Sequence, residues 1–277
     1  MKNSKFIDSL FFNKNIELID LKKGLTNKNY LLTMDDEQYV LRVPRMDAEN
    51  IVNRHHETLA LQAIEGANID VDTIYYDEIS GYKVTKYLPD VKTYQECTDP
   101  NKIERVARLM KKFHSLHKTV DTYFDPIARL KQYQSHVSNP MYTFNGLEDV
   151  IAEIESMNHS YILCHNDWVD GNILFADDQT YLIDYEYAAN NDPLFDVMSF
   201  LSENNIFDED LRHRFYQCYF DSFNEETLHQ LTAYEALEDA LWCTWAMMMF
   251  ESRNEEIYQS IAKEKAMAYE AVMKNWK

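Results

Sequence analysis

Basic side chains are scarce in this chain of 277 residues: 27 Lys and Arg stand against 47 Asp and Glu, a formal charge of −20. Nucleic-acid binding is therefore not expected, because contacts to phosphates need a basic surface. Cysteine is scarce too. Cys97, Cys164, Cys218 and Cys243 are scattered without a C-x-x-C pair, so neither a zinc site nor a disulfide framework is indicated. Long apolar runs are missing, and the longest, Ala240 to Phe250, is too short to span a bilayer, so no membrane insertion is expected. Asp8 interrupts any apolar stretch after Met1, so no signal peptide is read and the cytoplasm is the expected location. Internal repeats and low-complexity segments are absent as well.

What is present can fold. With 45% apolar and 13% aromatic residues the chain can bury a sizeable core, and its length suits one large domain or two lobes. An acidic surface keeps a protein soluble and attracts small cations. It would repel a nucleotide, so a divalent cation and local basic groups would have to offset it wherever a nucleotide binds.

The richest stretch runs from Cys164 through His165, Asp167 and Asn172 to Leu174, with Tyr161-Ile162-Leu163 leading in and Tyr181-Leu182-Ile183-Asp184 following after a turn at Asp177-Asp178. Three short β segments would bring His165, Asp167, Asn172 and Asp184 together. The pattern H-x-D-x-x-x-x-N, followed a dozen residues later by a strand-terminal Asp, has the spacing of the phosphoryl-transfer template. Asp167 would accept the proton of a substrate hydroxyl, with His165 beside it bracing the loop. Asn172 and Asp184 are hard oxygen ligands suited to Mg²⁺. A plain β-hairpin with Asp and Asn in its turns is the duller reading, and a lone H-x-D would not displace it. Asp196 has two readings: a brace for the catalytic loop, or an ordinary helix-start acid after Pro193.

Upstream, residues 3–13 suggest a short amphipathic helix, and Ile16 to Leu21 a strand. Gly24-Leu25-Thr26-Asn27-Lys28-Asn29 leads into another strand, and Gln38 to Val43 forms a third. Strand, glycine turn, strand suits a phosphate-covering hairpin, although its single glycine does not make G-x-G-x-x-G. Arg42 lies between apolar Leu41 and Val43. A helix follows from Ala48 to Gly66, and strands at Asp72–Tyr76 and Gly81–Leu88 complete a five-stranded antiparallel unit. The boundary is placed at Leu88, giving an N-terminal lobe of residues 1–88 and a C-terminal lobe of residues 89–277. Helices are expected over 99–118, over much of 120–158, and over Phe195–Glu203, Asp208–Phe220 and Glu225–Phe250, with one more to the C-terminus. His114 and His117, three apart, read as structural. Tyr234, Trp242, Trp245 and Met249 form a stripe that reads as helix packing or as a cage for a cation.

The stretch from Cys164 to Leu174, with Ile183-Asp184-Tyr185-Glu186-Tyr187-Ala188, resembles the choline/ethanolamine kinase family, and within it the LicA-type bacterial choline kinases. Ile-Asp-Tyr-Glu-Tyr stands where a protein kinase has Asp-Phe-Gly. The resemblance implies an α+β, two-lobed protein-kinase-like fold shared with the aminoglycoside phosphotransferases. A small antiparallel β lobe with one main helix would sit on a larger, mostly α lobe. It further implies ATP as phosphoryl donor, Mg²⁺ as cofactor and a small cationic alcohol as acceptor. Thr26, Asn27 and Asn29 would contact phosphates, and Glu57 would hold Arg42 toward them. Lys86, Tyr87 and Leu88 would offer backbone groups to adenine. Trp242 and Trp245 match the family's W-x-x-W pair around choline, with Tyr185 and Glu186 completing the cage. Kinases of ethanolamine, thiamine or an aminoglycoside are alternatives on the same fold, and a non-catalytic, kinase-shaped binding protein is the alternative of a different class.

Overall fold

The computed structural model describes residues 16–21, 27–45 and 54–276. The helix expected over 3–13, the start of the one expected from Ala48, and Gly24 to Thr26 lie outside them. A five-stranded antiparallel sheet opens the fold. Its strands are β1 (Ile16–Asp20), β2 (Asn27–Met34), β3 (Glu37–Pro44), β4 (Thr73–Tyr76) and β5 (Lys83–Lys86), in the order β1-β2-β3-β5-β4. Alternation along the strands puts Leu32, Leu41, Val43 and Val84 into a small core. The intervening residues face the other way. Asn29 lies opposite Arg42, and Arg42 opposite Lys83, so the three side chains share one face. Helix α1 (Arg54–Ala63) belongs to the same unit, with His56, Glu57 and Ala60 buried.

From residue 102 onward helices dominate. They are α2 (Lys102–His114), α3 (Pro126–His136), α4 (Leu147–Ser156), α5 (Pro193–Glu203), α6 (Glu209–Tyr219), α7 (Glu225–Arg253) and α8 (Glu256–Met273). Their starts follow the expected chemistry. Asp125, Asp192 and Asp208 each cap a helix by accepting a backbone N–H, and Pro126 and Pro193 occupy first turns. Helix α2 is shorter at both ends than the span 99–118. Asp99 accepts from the amide of Asn101 and so forms a turn before the helix, and His117 takes a left-handed conformation (φ 47°) after it. Residues 137–146 separate α3 from α4, around the loop expected at Asn139-Pro140.

Helix α7 is the axis of this half. Its 29 residues pack against α3, α4, α5 and α8, and almost everything from Ala233 to Met247 is buried. A helix covered on all sides belongs inside a core. It ends at Asn254, left-handed at φ 53°. No helix among the described residues is long and apolar enough to cross a membrane.

Two small two-stranded sheets also belong to the second half of the chain. Strand β6 (Ile162–Cys164) pairs with β9 (Ala189–Asn191), and β7 (Ile173–Ala176) pairs with β8 (Gln179–Leu182). Asn190 of β9 ties the assembly to the chain before α3. Its side chain accepts from the amide of Val120 at 2.9 Å and donates to that residue's carbonyl at 2.6 Å.

Candidate active site

The segment between β6 and β7 is held from beneath by α5. Asp196 accepts from the backbone amides of His165 (2.8 Å) and Asn166 (2.7 Å) and pairs with His114 Nε2 at 3.0 Å. Three residues on, Ser199 Oγ accepts from the amide of Trp168 at 3.0 Å, and at the helix end Asn204 donates to the Trp168 carbonyl at 2.8 Å. Of the two sequence readings of Asp196, the brace is the one the structure displays. Burial alone would raise its carboxyl, but the bonds from His114 and His165 outweigh this and hold it below the usual carboxylate value. His114, Cys164 and Asp196 come within 4.8 Å of one another, as metal ligands do. Their polar atoms are already engaged: both oxygens of Asp196 as above, His114 Nδ1 with Tyr219, and Cys164 Sγ with the Asn191 carbonyl.

Asn166 takes a left-handed conformation (φ 65°), which asparagine tolerates better than most residues. Its amide donates to the Tyr187 carbonyl at 2.9 Å, and its oxygen accepts from Asn191 at 2.8 Å. This turn aims Asp167 outward. A 3₁₀ turn over Asp170–Asn172 brings Asn172 back to it, so that Asn172 Nδ2 donates to Asp167 Oδ2 at 2.8 Å and to the Asp167 carbonyl at 3.0 Å. The Ile183 amide donates to the Asn172 carbonyl at 2.9 Å, which sets Asp184 beside the pair. Asp167 keeps part of its surface open. Burial, and then the charges of Asp184 and Glu203, push its carboxyl up to about 8, against the bond from Asn172.

Facing this trio from the sheet, Arg42 bridges two carboxylates: Nη2 to Glu57 at 2.5 Å and Nη1 to Asp184 at 2.8 Å. Burial would lower the guanidinium's pKa, but Glu57 and Asp184 hold it charged. Lys83 also reaches Glu57, at 3.4 Å, and Asp70, at 3.3 Å. Two cations thus share Glu57 and keep it ionised against burial. The sequence reading passed over Lys83, because in Lys83-Val84-Thr85-Lys86 it alternates like any solvent-facing strand residue. Its register opposite Arg42 was the missing signal.

The remaining predicted residues divide. Asn27 is buried and donates to Glu186 at 3.3 Å, which joins β2 to the segment after Asp184. Asn29 lies on the Arg42 face; Thr26 is outside the described residues. The amide of Tyr87 is spent on the Gln38 carbonyl (3.1 Å) and that of Lys86 on the Asp72 carbonyl (2.9 Å). Those two N–H groups are therefore not on offer, and Leu88 follows in the linker. His165 is fully buried with Nε2 at 3.0 Å from the Ile183 carbonyl, so it braces the loop and presents no surface to a substrate. Tyr185 is also fully buried, its hydroxyl donating to the Leu182 carbonyl. It packs beneath His165 and lies in the core, not against an open pocket. Glu186 gathers with Asp184 and Arg42, where burial and Asp184 raise its carboxyl well above the usual range. The aromatic ring that meets Trp242 is that of Tyr187, edge-on at 5.9 Å. Trp242 and Trp245 are 7% and 9% exposed and meet each other edge-on at 6.2 Å.

The family described as "phosphotransferase enzyme family" matches residues 17–238. The protein LicA of Haemophilus influenzae is 30% identical over 193 residues, which is 66% of this chain and 57% of that protein. The chain thus matches little more than half the length of this relative. A probable choline kinase of Arabidopsis thaliana is 24% identical over 85% of this chain and 80% of its own. Among solved structures, choline kinase LicA from Streptococcus pneumoniae superposes with a TM-score of 0.80 at 23% identity, covering 96% of this chain and all of that one. The fold is therefore the one the sequence led us to expect, and the chain belongs to the phosphotransferase enzyme family.

Proposed function

We propose that the chain is a cytoplasmic kinase that transfers the γ-phosphoryl group of ATP to the hydroxyl of a small amino alcohol, with choline as the acceptor. The observation that carries this is the contact of Asn172 with Asp167 beside Asp184, met from the sheet by Arg42. Residues 1–88 form the nucleotide-binding lobe and residues 89–277 the catalytic and acceptor-binding lobe. The names of the relatives, LicA and choline kinase, favour choline.

Phosphoryl transfer needs positioning and charge more than covalent help. Asp167 orients the acceptor hydroxyl and takes its proton as the new P–O bond forms. Arg42, fixed by Glu57 and Asp184, sets a permanent positive charge toward the phosphates. The donor chemistry of Asn172 and Asp184, one amide oxygen and one carboxylate, fits Mg²⁺, and these two residues would hold it. Bound there, Mg²⁺ supplies positive charge to the phosphates and favours the ionised form of Asp167. On the acceptor side, Tyr187, Trp242 and Trp245 offer aromatic faces to an ammonium group.

Two results are expected. Glu57→Gln frees one side of Arg42 and should raise the KM for ATP about tenfold, or ~1.4 kcal/mol; an unchanged KM at saturating choline would remove the pair from nucleotide binding. Trp245→Ala should raise the KM for choline about tenfold through a lost cation–π contact of ~1–2 kcal/mol; an unchanged KM would make Trp245 a packing residue only. The reading as a whole is tested by Mg·ATP-dependent ADP release with choline, ethanolamine, thiamine and kanamycin offered separately. Strong turnover with choline supports it. Turnover with kanamycin alone would move the acceptor to the aminoglycosides.

A further inference from the structure

Helix α7 carries Glu238, Trp242 and Trp245 at positions i, i+4 and i+7, which lie within about 60° of arc on one side of a helix. Glu238 is 0% exposed, yet neither of its carboxylate oxygens has a hydrogen-bond partner among the described residues. The indole N–H groups of Trp242 and Trp245 lack acceptors as well. Buried polar groups are nearly always paired, and an uncompensated buried carboxylate is costly. Burial, and next the charge of Glu203, raise the Glu238 carboxyl well above the usual range, with Lys265 opposing.

The nearby cations are committed elsewhere. Lys265 Nζ lies 2.7 Å from Glu203 and 3.2 Å from Asp239 and donates to Ser202 Oγ at 2.9 Å. Arg212 forks onto Glu235 at 2.8 and 2.6 Å. This side of α7 also adjoins the reaction centre. Trp242 meets Tyr187, three residues past Asp184. Glu203, whose charge acts on Glu238, acts on Asp167 too.

We propose that Glu238 is a specificity residue of the acceptor pocket, whose carboxylate accepts N–H hydrogen bonds from the substrate's ammonium group, so that the pocket takes primary and partly methylated amino alcohols as well as quaternary ones. The proposal rests on the reading of the chain as an amino-alcohol kinase. Aromatic faces attract any ammonium by its charge. A carboxylate's lone pairs call for a donor, and a quaternary nitrogen has none. A site built to hydrogen-bond a substrate discriminates against the analogue that lacks the donor.

The test is kcat/KM for ethanolamine, N-methylethanolamine, N,N-dimethylethanolamine and choline in the wild type and in Glu238→Gln. Glu238→Ser is measured alongside in case the first variant does not fold. The expected loss is about 30-fold for ethanolamine, shrinking with each added methyl to about threefold for choline. An equal loss across the series, or none, overturns the proposal. Quenching of tryptophan fluorescence by ethanolammonium and choline chlorides is titrated in parallel. Should the wild type turn over none of the four, the kinase reading falls and the titration decides alone. An ethanolammonium affinity that drops in the variants while choline affinity holds keeps Glu238 as an ammonium-binding residue. No binding of either cation, or an equal drop, removes it.

Discussion

Replacing Asp167 by alanine is expected to lower kcat by about three orders of magnitude while leaving ATP affinity within about twofold of wild type. The separation follows from the geometry. Arg42, Glu57 and Asp184 make their contacts without Asp167. Asn172 keeps its bond to the carbonyl at position 167, 3.0 Å away, when the side chain is lost. The loop should therefore hold its shape, because α5 grips it through the amides of His165, Asn166 and Trp168. Burial and the charge of Asp184 disfavour an ionised carboxylate at position 167, so the fold should lose little stability without it. In the proposed reaction, what is lost is the group that would orient the acceptor hydroxyl and receive its proton. Steady-state kinetics together with nucleotide binding by calorimetry separate the two effects. Turnover within tenfold of wild type would take Asp167 out of the chemistry.

The second large effect is on stability. Asp196→Ala should destabilise the fold by about 3–5 kcal/mol, the usual cost of breaking a buried charge network from one side. For a chain of this size that is a fall in Tm of roughly 10 °C. Two backbone N–H groups, those of His165 and Asn166, would be left buried without their acceptor, and His114 would lose its carboxylate. The pH dependence has a definite sign. The folded-state value of Asp196 is depressed, so its contribution is fully present above the ordinary carboxylate value of about 3.9. It is lost as the pH falls from there through the depressed value. The alanine variant should lack that component of acid unfolding. Differential scanning calorimetry between neutral and acid pH measures both, and a Tm within about 2 °C of wild type would show that α5 does not need Asp196 to hold the loop.

The sequence reading anticipated that His165, Asp167, Asn172 and Asp184 come together, because they sit within one short run bounded by apolar strands, where spacing alone limits the geometry. It carried the five-stranded sheet and the long helices for the same reason: alternation and helical periodicity are local. Where sequence reading fell short, the deciding information was not local. Asp196 kept two readings because the amides it accepts from lie about thirty positions upstream. Lys83 reads as a surface lysine until the register sets it beside Arg42. Strand β9 is Ala189-Asn190-Asn191, too short and polar to announce a strand, and exists because β6 and Asn190's bonds to Val120 hold it. Tyr185 and Tyr187 are indistinguishable by composition. The left-handed turn at Asp184 (φ 69°) comes just before them, and Tyr185 goes into the core while Tyr187 goes to Trp242.

Glu238 belongs with those non-local cases. In a helix reading it is one acid among several on α7, and only full burial with both oxygens unpartnered sets it apart. The contrast with Glu235, which is met by both ends of Arg212's fork, shows how the same residue type on the same helix can be a structural partner at one position and an open acceptor three residues later.

Movement of a phosphoryl group from ATP to an alcohol is the activity proposed for this chain. Phosphorus NMR of the protein with Mg·ATP and choline follows this without a coupling enzyme. The predicted result is loss of the γ-phosphate signal matched one for one by ADP and by a new phosphomonoester resonance, with no turnover when Mg²⁺ is withheld. ADP accompanied only by inorganic phosphate, or an ATP spectrum that never changes, would contradict it.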